Sequence, residues 1–299
     1  MKRLIIFIVF VFFSCTDLFC QNITFGVVAD VQYCDCDNEP QYNRFFAEVK
    51  DRLTEARDTL NNYSLDFAIN LGDIIEKDWK SFDDILPIFD EFQTRRYHVL
   101  GNHDFWVHDE KKPLVSKRLG MKAPYYSFTL KDWRFIILDS NDYSIYAHPE
   151  GTSEYLASEA MIESLAEQEK VQARPWNGGI GHEQLTWLKR QLEKAKDENQ
   201  KVLLFSHIPL QPLNMNTLWN YQEVLTLIEG YDCVKAVFAG HYHNGNNVKH
   251  NGIHHFTFKG MLDTPDQNSF SVVELQDEAI IIKGFGRQKG AVLSISSNL

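Results

Sequence analysis

In VFAGHYHNG, residues 237–245, His241 and His243 flank a single tyrosine directly after an apolar run and a glycine. Side chains two positions apart on near-extended backbone point the same way, so two imidazoles here can face one spot. Four more polar clusters follow apolar runs in the same manner: VVADVQ, INLGDIIE, HVLGNHD and LFSHIP. Together the five supply Asp30, Gln32, Asp73, Asn102, His103, His207, His241 and His243. Carboxylate, amide oxygen and neutral imidazole suit Mn, Fe or Zn, and no thiolate joins them. These are too many ligands for one tetrahedral ion; two adjacent ions sharing a carboxylate use them better. Taken singly, each element has an ordinary reading. An Asp at a strand end caps or turns the chain, and Asn tolerates left-handed backbone. Repetition at five strand ends is what points to a site.

The elements that position these clusters alternate. ITFGVVAD (23–30), DFAINLGD (66–73), YHVLGNHD (97–104), KVLLFSHIP (201–209) and CVKAVFAGHYH (233–243) carry them, and their apolar runs predict buried strands. Phe46, Val49, Leu53, Ala56 and Leu60 recur at helical spacing, as do Leu185, Leu188, Leu192 and Ala195. Helices are also predicted over 81–94, where Pro87 is expected to bend or divide the element, over 151–170 and near 217–229. YYSFTLKDWRFIILDS (125–140) predicts two antiparallel strands around a Lys-Asp turn. From about residue 248 the pattern predicts short strands only. Alternation first and strands last suggests helices on a mainly parallel sheet, joined to a more antiparallel one. In open α/β sheets, sites form outside the carboxyl ends of strands, so the clusters are expected on one edge.

With 299 residues, 44% of them hydrophobic, one large domain over residues 21–299 is expected. A net charge of −11 argues against general affinity for nucleic acid or anionic membrane. An anionic substrate would then need a local positive feature, for which bound metal is the obvious source. The opening MKRLIIFIVFVFFSCTDLFCQ places Lys2 and Arg3 before an apolar run, Leu4–Ser14. It reads as a signal peptide over residues 1–20, so the protein is expected to be exported, periplasmic or secreted. The run is shorter than the ~20 apolar residues of a membrane helix. FFSC is a poor lipobox, and a membrane partner is expected only if Cys15 is lipidated. Past the leader, Cys34, Cys36 and Cys233 make an odd count that describes no disulfide framework. YCDCD reads as an ordinary loop in preference to a soft-metal site.

The blocks, in this order, resemble the calcineurin-like metallophosphoesterase superfamily. Its pattern of D-x-H, GDxxD, GNH[DE], a single His and GHxH stands here as DVQ, GDIIE, GNHD, SHIP and GHYH across residues 25–245. Gln32 takes the place of the usual His. With NGGIGHEQLTWL and LWNYQEVL, it looks like the manganese-dependent ADP-ribose/CDP-alcohol diphosphatases, which share that Gln. The resemblance implies an α/β fold, a four-layer αββα sandwich of two mixed sheets flanked by helices. It implies two divalent metal ions, Mn2+ first, with Fe or Zn as alternatives. Asp30, Gln32 and His243 would bind the first ion, Asn102, His207 and His241 the second, and Asp73 would bridge them. The implied reaction is hydrolysis of the pyrophosphate bond in a nucleotide diphosphate linked to a sugar or an alcohol, by hydroxide held at the metals. His103 is expected to stabilise charge or protonate the leaving oxygen, oriented by Glu76 in the slot that the superfamily fills with Asp. Phe105, Trp106, Tyr143 and Trp176 are candidates for stacking a nucleobase, and Lys77 reads as a solvated surface residue. Two rival readings stand beside this one: a phosphomonoesterase or phosphodiesterase on the same site, and an exported binding module that keeps the fold without turnover.

Overall fold

The structure, a computed structural model, describes residues 22–296; the signal-peptide and Cys15 readings fall outside them. In chain order the elements are β1 (Ile23–Val28), α1 (Val49–Leu60), β2 (Phe67–Asn70), α2 (Trp79–Asp90), β3 (Arg95–His98), α3 (Val115–Arg118), β4 (Tyr126–Leu130), β5 (Trp133–Ile137), α4 (Ser153–Glu167), α5 (His182–Asp197), β6 (Lys201–Phe205), α6 (Tyr221–Ile228), β7 (Val234–Ala239), β8 (Asn246–His250), β9 (Ile253–Thr257), β10 (Ser269–Leu275), β11 (Ala279–Gly286) and β12 (Ala291–Ser294). They form two six-stranded sheets, ordered β12-β11-β10-β1-β2-β3 and β4-β5-β6-β7-β9-β8.

Strands β1, β2 and β3 run parallel, as do β5, β6, β7 and β9. Antiparallel neighbours extend each sheet: β10 beside β1, β4 beside β5 and β8 beside β9. Both sheets are therefore mixed, as the resemblance implied. The sheet built on β5, β6, β7 and β9 is mainly parallel and the other more antiparallel, as expected, and the C-terminal strands divide between the two. β8 and β9 extend one sheet, while β10 covers the side of β1 that would otherwise be an unpaired edge.

An aromatic layer joins the sheets. Phe25, Phe67, Phe135, Phe205, Phe238 and Phe256 lie buried in one cluster. Phe25 stacks on Phe67 at 4.5 Å and meets Phe135 and Phe205 edge-on at 6.2 and 6.0 Å, geometries that rings favour beyond simple burial. Helices α1 and α2 cover one outer face through Val49, Leu53, Ala56, Phe82, Ile85 and Phe89. Helices α5 and α6 cover the other through Leu188, Leu192, Val224 and Ile228. α2 runs unbroken through Pro87 and stops at Asp90, short of the expected residue 94. Pro87 sits in the last turn, and buried Phe82, Ile85, Leu86 and Phe89 hold the helix to its sheet despite the missing N–H.

The loop after β1 corrects the cysteine reading. Cys34 and Cys36 form a disulfide, and Cys233 is free. Their Cα atoms lie 5.2 Å apart, inside the range a disulfide spans. Counting cysteines misses such a pair, because the odd residue is simply the one left over.

His255 in β9 is buried with neither ring nitrogen bonded. Burial, followed by the nearby His250 and His254, lowers its pKa to about 4. The unfolded chain therefore takes a proton that the fold refuses as pH falls below the ordinary value of 6.5, and stability is lost down to about pH 4. His255→Leu should flatten this loss by about 2–3 kcal/mol between pH 7 and 4 in chemical denaturation. An unchanged pH slope would show that the ring finds a partner.

Candidate metal centre

The clusters turn sharply off their strands. Asp30, Gln32, Asp73 and His241 have φ of 50, 49, 53 and 66°, in the left-handed region. Such backbone costs on the order of 1–3 kcal/mol at a non-glycine residue and persists only where its surroundings impose it. Here neighbouring loops do so. The Gln32 N–H donates to the Asp73 carbonyl at 2.8 Å. The Asp73 carboxylate accepts from the His103 N–H at 2.7 Å, and that of Asp30 from the His241 N–H at 2.9 Å. Buried Asp104 ties the loops after β2 and β3 together by accepting from Ile74 N–H and Gly101 N–H, each at 2.9 Å. Burial and the neighbouring Asp73 charge raise Asp104 to about 7. A side chain at Gly101 would collide with Asp73, which explains the glycine there.

Contacts link the expected ligands, Asp30 to His241 and His243, Gln32 to Asp73, and His207 to Asp73 and Asn102, and each histidine among them has its second nitrogen committed. His207 Nδ1 lies 2.8 Å from the Leu71 carbonyl, leaving Nε2 at 3.2 Å from Asp73 Oδ2 and 3.1 Å from Asn102 Oδ1. His241 Nε2 lies 2.9 Å from Asn177 Oδ1, leaving Nδ1 free to face inward. The Asn177 amide is oriented by donating to the Gln172 and Met215 carbonyls at 3.0 and 2.9 Å. His243 Nδ1 lies 2.8 Å from Asp263 Oδ1, leaving Nε2 at 3.5 Å from Asp30 Oδ1. One ligand atom each from Asp73, His207 and His241 lies within 4.8 Å of the others. The buried Asp30 Oδ2 and Gln32 Oε1 have no hydrogen-bond partner. Buried acceptors without donors are costly, and a cation is the partner that such a pair of oxygens suits. The residues therefore fit a divalent pair.

The charges agree. Burial opposes ionisation of Asp73, yet His207 and His103 hold its pKa well below the usual carboxylate range. Burial likewise opposes a charged His207, but Asp73 raises it to about 9; His243 rises to about 10 beside Asp30 and Asp263. Burial and the charge of His207 push His241 well below its ordinary value. Two imidazoles thus take up protons to balance carboxylates that a metal pair would balance in their place.

Glu76 does more than its slot in the motif implied. Its Oε2 accepts from Gln32 Nε2 at 3.0 Å and Arg44 Nη1 at 3.0 Å, and lies 3.2 Å from His103 Nδ1. It therefore holds the amide of Gln32 by its nitrogen, and its carboxylate also lies against the His103 ring. Trp106 stacks on His103 with centroids 5.5 Å apart and is 56% exposed. A cavity of about 560 Å³ opens over Asp73, Asn102, His103, His241 and His243. Trp176 lines it, whereas Phe105 belongs to the core and Tyr143 is absent from the lining. Lys77 is exposed, as expected.

Asp263, Asn177 and Arg44 went unread in the sequence as parts of the site. Arg52 also serves it, donating from α1 to the carbonyls of Met261, Leu262, Asp263 and Thr264 and so shaping the loop that carries Asp263. The NGG block was visible as a break in the chain, but its role as the acceptor for His241 was not.

A family model for calcineurin-like phosphoesterases matches residues 23–245. A manganese-dependent ADP-ribose/CDP-alcohol diphosphatase of Oryza sativa subsp. japonica is 32% identical over 87% of this chain and 90% of its own length. The Homo sapiens protein of the same name is 27% identical over 91% and 92%. A dimetal phosphatase from Danio rerio superposes with a TM-score of 0.82 at 25% identity, covering 92% of this chain and 99% of that one.

Carboxylate partners of ligating histidines typically contribute 10–100-fold to metal affinity. Asp263→Ala should weaken Mn2+ binding by about that factor at one of two sites in calorimetry, with the other site little changed. Unaltered affinity at both would remove Asp263 from the centre.

Proposed function

We infer that this chain, which belongs to the calcineurin-like phosphoesterase family, hydrolyses the pyrophosphate bond of nucleoside diphosphates joined to a sugar or an alcohol. The observation that carries the reading is the grouping of Asp73, His207 and His241 beside a cavity lined by Asn102 and His243, with the unpartnered oxygens of Asp30 and Gln32 and with an amide, Gln32, where the superfamily pattern has imidazole. Full-length similarity to diphosphatases named for ADP-ribose and CDP-alcohols supports the substrate class.

Asp30, Gln32 and His243 would hold one ion, Asn102, His207 and His241 the other, and Asp73 both. When bound, a divalent pair, Mn2+ by analogy with the named relatives, neutralises phosphate charge and makes water acidic enough to be nucleophilic near neutral pH. The chain's own residues do the rest. The hydrogen bonds to Leu71, Asn177 and Asp263 hold the outer nitrogen of three imidazoles, so that the inward nitrogen is the one that would face a bound ion. Glu76 holds His103 by Nδ1, so that Nε2 is the atom that can hand a proton to the leaving oxygen. Trp106 shields one face of that ring from water. In the balanced reaction a water oxygen bonds to phosphorus and the bridging P–O bond breaks. A proton reaches the departing phosphate, and two phosphate monoesters result, such as AMP and ribose phosphate. The leader-like opening and the Cys34–Cys36 disulfide support action outside the cytoplasm, where disulfides persist.

A panel of ADP-ribose, CDP-choline, a nucleoside monophosphate and a cyclic nucleotide with Mn2+ tests the reading. Turnover of the first two is expected to dominate. Preference for the monophosphate or the cyclic nucleotide would favour the monoesterase or diesterase reading, and no turnover at all would favour a binding module. His103→Ala should lower kcat by roughly 10²–10⁴-fold on these substrates with both ions retained by metal analysis. The loss should shrink for a p-nitrophenyl ester, whose leaving group needs no proton. Equal losses on both would deny His103 the acid role.

A further inference from the structure

We propose that Arg44 binds the second phosphate of the substrate, the one that departs, through the part of its guanidinium that faces the pocket. This rests on the diphosphatase reading and deepens it by assigning the two phosphates to different partners. The metal ligands can serve the phosphorus under attack. The other phosphate keeps its negative charge and needs a cation of its own. Among the described residues lining the cavity, Arg44 is the only Lys or Arg.

Arg44 is held for such a task. Its backbone bridges Glu39 on one side and Asp263 on the other. The Glu39 N–H donates to the Arg44 carbonyl at 2.8 Å, and the Arg44 N–H returns a bond to Glu39 at 3.2 Å. The adjacent Asn43 accepts from the Thr264 N–H at 3.3 Å, pinning the turn to the loop that carries Asp263. The Arg44 side chain is anchored by one arm, Nη1, on Glu76 Oε2 at 3.0 Å. That same oxygen lies 3.2 Å from His103 Nδ1, so the guanidinium and the candidate acid share one carboxylate. A group held by Arg44 would thus sit beside the ring that protonates the leaving oxygen.

The remaining guanidinium N–H groups have no protein acceptor among the described residues, and the side chain is 27% exposed. A planar fork with one arm fixed and the rest open suits a phosphate better than a mobile lysine would. The two other arginines nearby are spent differently. Arg287 is 11% exposed and serves Asp263 and the Gly260 carbonyl. Arg52 is consumed by the carbonyls of the Asp263 loop. The competing view of Arg44 is that it only neutralises Glu76; that view gives it no preference between one phosphate and two.

The test compares Mn2+-loaded wild type with Arg44→Lys and Arg44→Met, after confirming that both ions are retained. Calorimetry measures inorganic pyrophosphate against inorganic phosphate at fixed free Mn2+. The variants should lose about tenfold in pyrophosphate affinity and less than about twofold in phosphate affinity. Their kcat/KM for ADP-ribose should fall in parallel, and by a larger factor than that for bis(p-nitrophenyl) phosphate, which has a single phosphorus. Equal losses for the two anions, or no loss for either, would overturn the assignment. If Arg44→Met does not fold, Arg44→Lys decides, since it keeps the charge and loses the fork. If the wild type cleaves no ADP-ribose, the diphosphatase reading fails, and the comparison of the two anions still decides the role of Arg44.

Discussion

An imidazole can offer a lone pair in a chosen direction only when its other nitrogen has given its proton to a fixed acceptor. The centre depends on that condition being met three times. Leu71 supplies a backbone carbonyl to His207, Asn177 an amide oxygen to His241, and Asp263 a carboxylate to His243. Each acceptor is held in turn: Leu71 at the end of a parallel strand, Asn177 by two carbonyls, Asp263 in a loop shaped by Arg52. The facing sheets and their aromatic filling matter to the chemistry because they keep these acceptors still. A ring released from any of them would present the wrong nitrogen.

Charge imposes the second condition. Asp30, Asp73, Glu76 and Asp263 crowd one pocket, and buried carboxylates demand compensation. Protons on His207 and His243 provide it in the metal-free protein, where their pKa values rise to about 9 and 10. Divalent ions provide it when bound. Arg44 compensates Glu76. Glu76 is also the reason that Gln32 works as a ligand. An amide carries donors that an acceptor must absorb before its oxygen can face a cation, and Glu76 takes one of them at 3.0 Å. The Gln and the longer acid, both departures from the superfamily pattern, thus explain each other.

The ligands were legible because each stands directly after an apolar run, a local pattern that needs no knowledge of pairing. The same locality exposed α1, the β4–β5 hairpin and α5. What escaped the sequence is long-range. Asp263 meets His243 across the loop that follows β9, and Asn177 meets His241 from the far side of two helices; neither carries a motif of its own. Arg44 looked like any arginine in a polar stretch, because only the bridges to Glu39 and Asp263 place it at the pocket. The division of β8–β12 between the sheets depends on which edge each strand covers, and short strands of similar composition do not declare that. The Cys34–Cys36 pair was hidden by counting, since pairing depends on Cα separation.

Anomalous diffraction at the manganese edge, from crystals of the Mn2+-loaded protein, addresses the central claim most directly. Two peaks about 3.5–4 Å apart, with the Asp73 carboxylate between them, are expected. A single peak, or peaks away from His207, His241 and His243, would contradict the account.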